Sequence, residues 1–159
     1  MDIPILSGPI ELDDFVRRCA DELFNREPYT FIFPEDCFLG KWPVDEIRNK
    51  NKNFLATLRE KANIYAIFVR DRGSKSLWQR MYVGERKSSF MRDRMREHLI
   101  KKNDQTGSVL NKIKMAISSN KEVGLSFINV KPDSLRLFVE EEIIKTSRTE
   151  TELSWNTHG

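Results

Sequence analysis

The stretch from Asn63 to Gly84, NIYAIFVRDRGSKSLWQRMYVG, decides the fold. Residues 63–69 (NIYAIFV) form an apolar run rich in β-branched and aromatic side chains, with no polar alternation. That composition predicts a strand buried on both faces. Asp71-Arg72-Gly73-Ser74 is turn chemistry. Residues 81–84 (MYVG) form a second short β-rich run. Together they predict a hairpin whose long basic loop carries Lys75, Trp78 and Arg80.

Working outward toward the C-terminus, Ser88 or Ser89 caps a helix running to about Lys101. A loop at 103–107, a helix at 109–117 and a strand at 124–130 follow. Asp133 or Ser134 then caps a last helix through Leu135, Phe138, Val139 and Ile143 to about Lys145. The order from residue 63 is β-β-α-α-β-α. It predicts an α/β (α+β) fold, a small three-stranded antiparallel sheet flanked by helices. Toward the N-terminus, Gly8-Pro9 precedes a helix with Phe15, Cys19, Leu23 and Phe24 on one side and Asp13 or Asp14 as N-cap; Pro28 ends it. A short strand at 29–33, a loop at 34–50 and a short helix from Phe54 to about Lys61 complete the chain. Residues 1–61 therefore read as an N-terminal helical extension to a domain spanning 62–159.

The bulk numbers narrow the function. The 159 residues are 39% hydrophobic, enough for one core. No apolar run approaches the roughly 20 residues of a membrane span. The start, Met1-Asp2-Ile3-Pro4, lacks the basic and apolar segments of a signal peptide, so a cytoplasmic protein is expected. Cys19 and Cys37 are the only cysteines, without CxxC spacing or a nearby histidine. They read as free thiols rather than zinc ligands. The net charge of +3 is unevenly spread. Residues 1–46 hold four basic and eleven acidic side chains, residues 47–114 eighteen and six, and residues 115–159 five and seven. A basic middle of this size suits DNA, whose counterions it would displace. The plain alternative is a solvated surface.

Four features bear on chemistry. Tyr65 and Tyr82 lie on successive strands, where a tyrosine alone is most often packing. Arg94 and His98 lie one turn apart on a helix and fall beside its apolar stripe of Met91, Met95 and Leu99, as residues lining a cleft would; snorkelling from the rim is the alternative. Glu140-Glu141-Glu142 interrupts an apolar helix; three glutamates in a row are usually a solvated face, and the apolar surroundings are the reason to expect one carboxylate turned inward. Periodicity alone allows Glu140 or Glu142. Asn156 stands beside Trp155 in the tail. A carboxylate with a divalent cation, an arginine for phosphate and a tyrosine or histidine for a water proton make the inventory for phosphodiester hydrolysis.

These residues, in this order, resemble the GIY-YIG nuclease superfamily, most of all its restriction-endonuclease-type members. Asn63-Ile64-Tyr65 stands where that family has its first motif, with asparagine for glycine, and Tyr82-Val83-Gly84 where it has its second. Arg94 and His98 match the helix motif, Glu140 heads an E-x-x-I-I-K register, and Asn156 follows. The resemblance covers about residues 62–157. It implies a DNA endonuclease, a phosphodiester hydrolase dependent on Mg2+ or Mn2+ held by Glu140, serving as a compact restriction or anti-phage nuclease. Repair or structure-specific cutting, or a non-cleaving DNA-binding module, are the alternatives. The implied roles are Tyr65 or Tyr82 on the water, with Tyr65 preferred, Arg94 on the scissile phosphate, His98 as proton acceptor or orienter, and Asn156 as support. Lys75, Arg80, Arg86 and Lys87 are the expected phosphate contacts. In that family, extensions such as residues 1–61 serve target selection or homo-oligomer contacts.

Overall fold

The computed structural model describes residues 1–7, 11–101 and 108–156. The N-terminal segment contributes β1 (Ile5–Ser7), α1 (Leu12–Phe24), β2 (Tyr29–Phe31), α2 (Glu35–Phe38), α3 (Val44–Lys50) and α4 (Lys52–Thr57). Then come β3 (Ile64–Asp71), β4 (Gln79–Glu85), a 3-10 turn (Ser88–Phe90) running into α5 (Met91–Leu99), α6 (Ser108–Ser118), β5 (Lys121–Lys131), a second 3-10 turn (Asp133–Leu135) and α7 (Arg136–Ser147). The β-β-α-α-β-α order expected from residue 63 is present. Gly8-Pro9 and the loop expected at 103–107 lie outside the described residues.

The sheet corrects the expectation of three antiparallel strands: among the described residues it has five, and one pairing is parallel. β5 is its spine. β3 pairs antiparallel with one edge of β5 from Ile64↔Ile128 to Asp71↔Lys121, and β4 pairs antiparallel with the far side of β3. The other edge of β5 is shared by β1, parallel at Ile5↔Asn129, and β2, antiparallel at Tyr29↔Leu125. The reason is physical. Residues 123–130 of β5 are all buried. A three-stranded sheet would leave the outer edge of so apolar a strand without hydrogen-bond partners. Residues 1–61 supply two short strands that cover it. Ile5-Leu6-Ser7 is too short to show a strand period in the sequence.

Two further differences have local causes. Residues 34–50, expected as loop, hold α2 and α3, and Pro34 and Pro43 stand at their N-caps. A proline at a helix start forfeits no intrahelical bond, so it begins these helices rather than breaking them. Asp13 and Asp14 lie in the first turn of α1 rather than at its cap, where carboxylates still favour the helix N-terminus.

The sheet separates two apolar layers. Tyr65, Ile67, Val123, Leu125 and Phe127 face Ile47, Phe54, Leu55, Met91, Met95, Leu99 and Ile113 from α3–α6. Ile64, Ala66, Phe68, Val83, Ile128 and Val130 face Phe15, Cys19 and Leu23 of α1 and Val139 and Ile143 of α7. Cys19 and Cys37 are buried free thiols, and burial pushes them up to about 12 and about 11 respectively. Among the described residues, no helix is long and apolar enough to cross a membrane.

Three buried asparagines tie chain segments that strand pairing does not reach. The Asn51 amide donates to Ile32 O and accepts from Ile32 N, at 2.7 and 2.8 Å. Asn63 does the same to Val130, at 2.8 and 2.7 Å, and Asn156 to Val83, at 2.8 and 2.9 Å. Each side chain mimics a strand by answering both polar groups of one residue. The asparagine at position 63 thus lengthens the junction of β3 with β5.

Asn63→Ala leaves the N–H and C=O of Val130 buried without those partners, at about 1–3 kcal/mol per group. Urea unfolding of the variant is expected to show a loss of about 2–4 kcal/mol at unchanged m; a loss below about 0.5 kcal/mol would mean that the amide bridge is not structural.

Candidate active site

Tyr65 on β3 and Gly84 on β4 are cross-strand partners. A Cβ placed on Gly84 would lie 2.3 Å from the Tyr65 hydroxyl oxygen and 2.4 Å from Cζ. The tyrosine ring therefore crosses directly over the glycine and fills the space that a side chain would take. Pleating does the rest. Tyr82 and Gly84 lie on the Tyr65 face, and Val83 enters the opposite layer.

Three rings meet at this point. The Tyr65 hydroxyl is 2.7 Å from His98 Nε2, and the Tyr82 ring stands beside both. Ring centroids are separated by 6.0 Å (Tyr65–Tyr82), 5.6 Å (Tyr65–His98) and 5.8 Å (Tyr82–His98). Tyr65 and His98 are buried, whereas Tyr82 is half-buried and forms the solvent end. Which of Tyr65 and His98 donates in their hydrogen bond is set by the imidazole tautomer. Burial, followed by Tyr82, drives the Tyr65 pKa well up, and Arg94 opposes the rise. Burial also raises that of Tyr82, with Glu140 adding to the rise and Tyr65 and Arg94 opposing it.

Arg94 stands one turn before His98 on α5. Its Nε is buried and has no hydrogen-bond partner among the described residues. Glu97 Oε1, at 3.7 Å, is beyond hydrogen-bond reach. Arg96 Nε, on nearly the opposite side of the helix, is in the same state. A buried donor without an acceptor is costly, and an anion relieves it.

Glu140 comes to the same place from α7. It acts electrostatically on both Tyr65 and Tyr82, as Arg94 does. Its carboxylate accepts a hydrogen bond from the Glu85 backbone, which lowers its pKa. Burial, then the charges of Glu85 and Glu141, outweigh this and push it up to about 7. Glu85 in turn binds Arg136 Nε at 2.8 Å. Arg136 and Glu140 are four residues apart on one helix face, so Glu85 fixes the register of α7 against β4. Glu141 is exposed, and Glu142 is half-buried.

Glu85 was not singled out in the sequence. Its signal was its position directly after Gly84 at the end of an edge strand. Among the described residues, no three His, Cys, Asp or Glu side chains group to hold a metal ion. Magnesium needs no such cage. It keeps several waters and takes one or two carboxylates, and the desolvated Glu140 beside Glu85 fits it.

Asn156 is a brace and not a ligand. Besides its amide bridge to Val83, the tail donates Leu153 N to Arg80 O and Trp155 N to Met81 O, both at 2.9 Å. Pairing passes from Ile67↔Tyr82 to Phe68↔Arg80, leaving Met81 as a bulge. Two successive carbonyls thereby reach the tail.

The four expected phosphate contacts divide into two pairs. Arg86 and Lys87 follow Glu85 directly. Arg86 lies with its guanidinium carbon 5.6 Å over the Phe90 ring. Lys75 and Arg80 are at the other end of the hairpin, roughly 20 Å away for Lys75 at about 3.3 Å per residue. Arg80 lies 4.4 Å over Phe24 of α1. The structure does not bring these two into the site.

Comparison of the chain with protein-family models, with curated proteins and with solved structures returns no match in any of the three.

The raised Glu140 pKa has a consequence for stability. A carboxyl raised from 4.5 to about 7 contributes stability that is fully present below the lower value and is lost as pH rises through the upper one. Glu140→Gln stays neutral throughout. Without divalent metal, its Tm advantage over the wild type is expected to be absent at about pH 4 and present at about pH 8. Magnesium at the higher pH should raise the wild-type Tm alone. A difference independent of pH would refute the assignment of the raised group.

Proposed function

We propose that this protein is a divalent-metal-dependent DNA endonuclease that hydrolyses phosphodiester bonds at the Tyr82–Tyr65–His98 cluster, in the manner of the GIY-YIG nucleases it resembles in sequence. The observation that supports this best is the convergence of Tyr65, Tyr82, His98, Arg94 and Glu140 from four separate elements, β3, β4, α5 and α7. Tyr82, the exposed end, orients the attacking water. His98 is the acceptor for the proton of that water. Arg94 offers its guanidinium to a non-bridging oxygen of the scissile phosphate, where it makes a charge-assisted contact. Glu140 and Glu85 are the carboxylates that suit Mg2+ or Mn2+. A bound ion of this kind supplies positive charge to the phosphate and to the leaving oxygen. Glu140, protonated near neutrality when alone, ionises to receive it. A compact restriction or anti-phage nuclease in the cytoplasm is the setting we favour, because residues 1–61 are built into the sheet rather than forming a separate DNA-reading domain.

Incubation with supercoiled plasmid and phage DNA in magnesium is expected to give nicked or linear products, and EDTA should stop the reaction. Arg94→Ala should lower the single-turnover rate by about 100-fold or more, as loss of an electrostatic stabiliser does. Arg94→Lys should restore only part, since lysine lacks the planar fork. DNA left intact across sequences and both metals, or an Arg94→Ala protein as active as the wild type, would overturn the proposal.

A further inference from the structure

At the same end of the sheet as Glu85, a cleft of about 360 Å³ opens between Glu60 after α4, the turn before α5 and the end of β5. Asn129 lines it. Ile128 and Val130 enter the α1–α7 layer and Phe127 the other. Strand alternation therefore turns the Asn129 side chain toward α4 and α5, the side on which the cleft opens. Asn129 is only 8% exposed. Its backbone N–H donates to Pro4 O at 2.8 Å, yet its side-chain amide makes no hydrogen bond to any described residue. Asn51, Asn63 and Asn156, also buried, each have theirs committed to the backbone. A nine-tenths-buried amide open to a cleft is placed for a ligand.

The rest of the lining fits an oxyanion. Lys87 and Lys131 supply two cations, neither in an ion pair among the described residues, and Ser88 and Ser89 supply hydroxyls. Ser88 also opens the helical run that continues to Leu99, so the leading N–H groups have no partner within that run. Of the two acids in the lining, Asp133 is bound by Arg136 and accepts from Asn63 Nδ2 at 3.0 Å. Glu60 remains, on an exposed position.

The geometry points to a phosphate pocket formed by Asn129, Lys87, Lys131, Ser88 and Ser89. Its occupant is a DNA backbone phosphate flanking the one that is cut, an assignment that rests on the function proposed above. Lys87 lies two residues past Glu85, about 7 Å along an extended chain. Phosphates along one DNA strand follow every 3.4 Å of helix axis. The pocket therefore holds a phosphate one or two steps from the scissile one and sets the strand's register.

Two measurements on the metal-free full chain test this. In the first, inorganic phosphate is titrated into 15N-labelled protein. The Asn129 side-chain amide and the Ser88 and Ser89 N–H signals should shift saturably. Lys131→Ala, at an exposed position, should weaken the apparent affinity several-fold, and Asn129→Asp, which keeps the shape and adds a negative charge, should abolish the Ser88 and Ser89 shifts. An unmoved Asn129 amide, or equal titration of wild type and Lys131→Ala, overturns the pocket. In the second, duplex DNA binding is followed against salt in EDTA. Lys131→Ala should reduce the log–log slope by about 0.9, the value of one phosphate contact; an unchanged slope removes DNA as the source of the phosphate. Plasmid cutting with a silent Asn129 amide would sink the pocket and keep the nuclease. A saturable shift without plasmid cutting would keep the pocket and sink the nuclease.

Discussion

A tyrosine ring lying across a glycine is the contact on which the candidate site depends. Tyr65 occupies the volume that any side chain at position 84 would need. Displacing the ring would move its hydroxyl away from both His98 and Tyr82. The contact works because the two residues are directly opposed on β3 and β4, where cross-strand side chains come closest. Tyr82, one step diagonal to Tyr65, is delivered to the same face by the same pleat. Two strands thus carry both tyrosines to α5 without any contribution from a loop. Side chains carried on strands are held more precisely than side chains carried on loops.

β4 is an edge strand, and an edge strand is ordinarily the loosest part of a sheet. Here its outer side is occupied by the tail. Leu153 and Trp155 bind the two carbonyls that the Met81 bulge turns outward, and Asn156 brackets Val83. From the other layer, α7 grips the end of the strand through Arg136 on Glu85 and through Glu140 on the Glu85 backbone. The position at the sheet rim also explains how groups from opposite layers meet. Arg94 and His98 come from the α3–α6 side and Glu140 from the α1–α7 side, and both reach around the last strand.

Much of this arrangement was legible in the sequence because it is written in local composition and short spacings. Apolar, β-rich runs placed Tyr65 and Tyr82 on strands, and a spacing of four placed Arg94 and His98 on the buried side of α5, where His98 is indeed buried and Asp93 exposed. What periodicity could not decide was long-range. It allowed Glu140 or Glu142 and slightly favoured Glu142, because the face of α7 that matters is defined by the edge of β4 and not by the apolar core alone. Glu85 went unnoticed for the same reason, since its significance is the helix that packs over it. β1 was invisible at three residues, and Pro34 and Pro43 read as loop although each begins a helix. The preference for Tyr65 over Tyr82 came from motif order. Burial, which sequence does not supply, makes Tyr82 the solvent end of the pair.

The most direct test of the account is the single-turnover plasmid cleavage rate of Gly84→Ala in magnesium, read alongside its far-UV circular dichroism. One methyl group cannot share the space with the Tyr65 ring. The account predicts a native-like helix and strand signature with cleavage lowered by about 100-fold, the scale of losing a positioned catalytic group. A folded Gly84→Ala protein that cuts at the wild-type rate would contradict it.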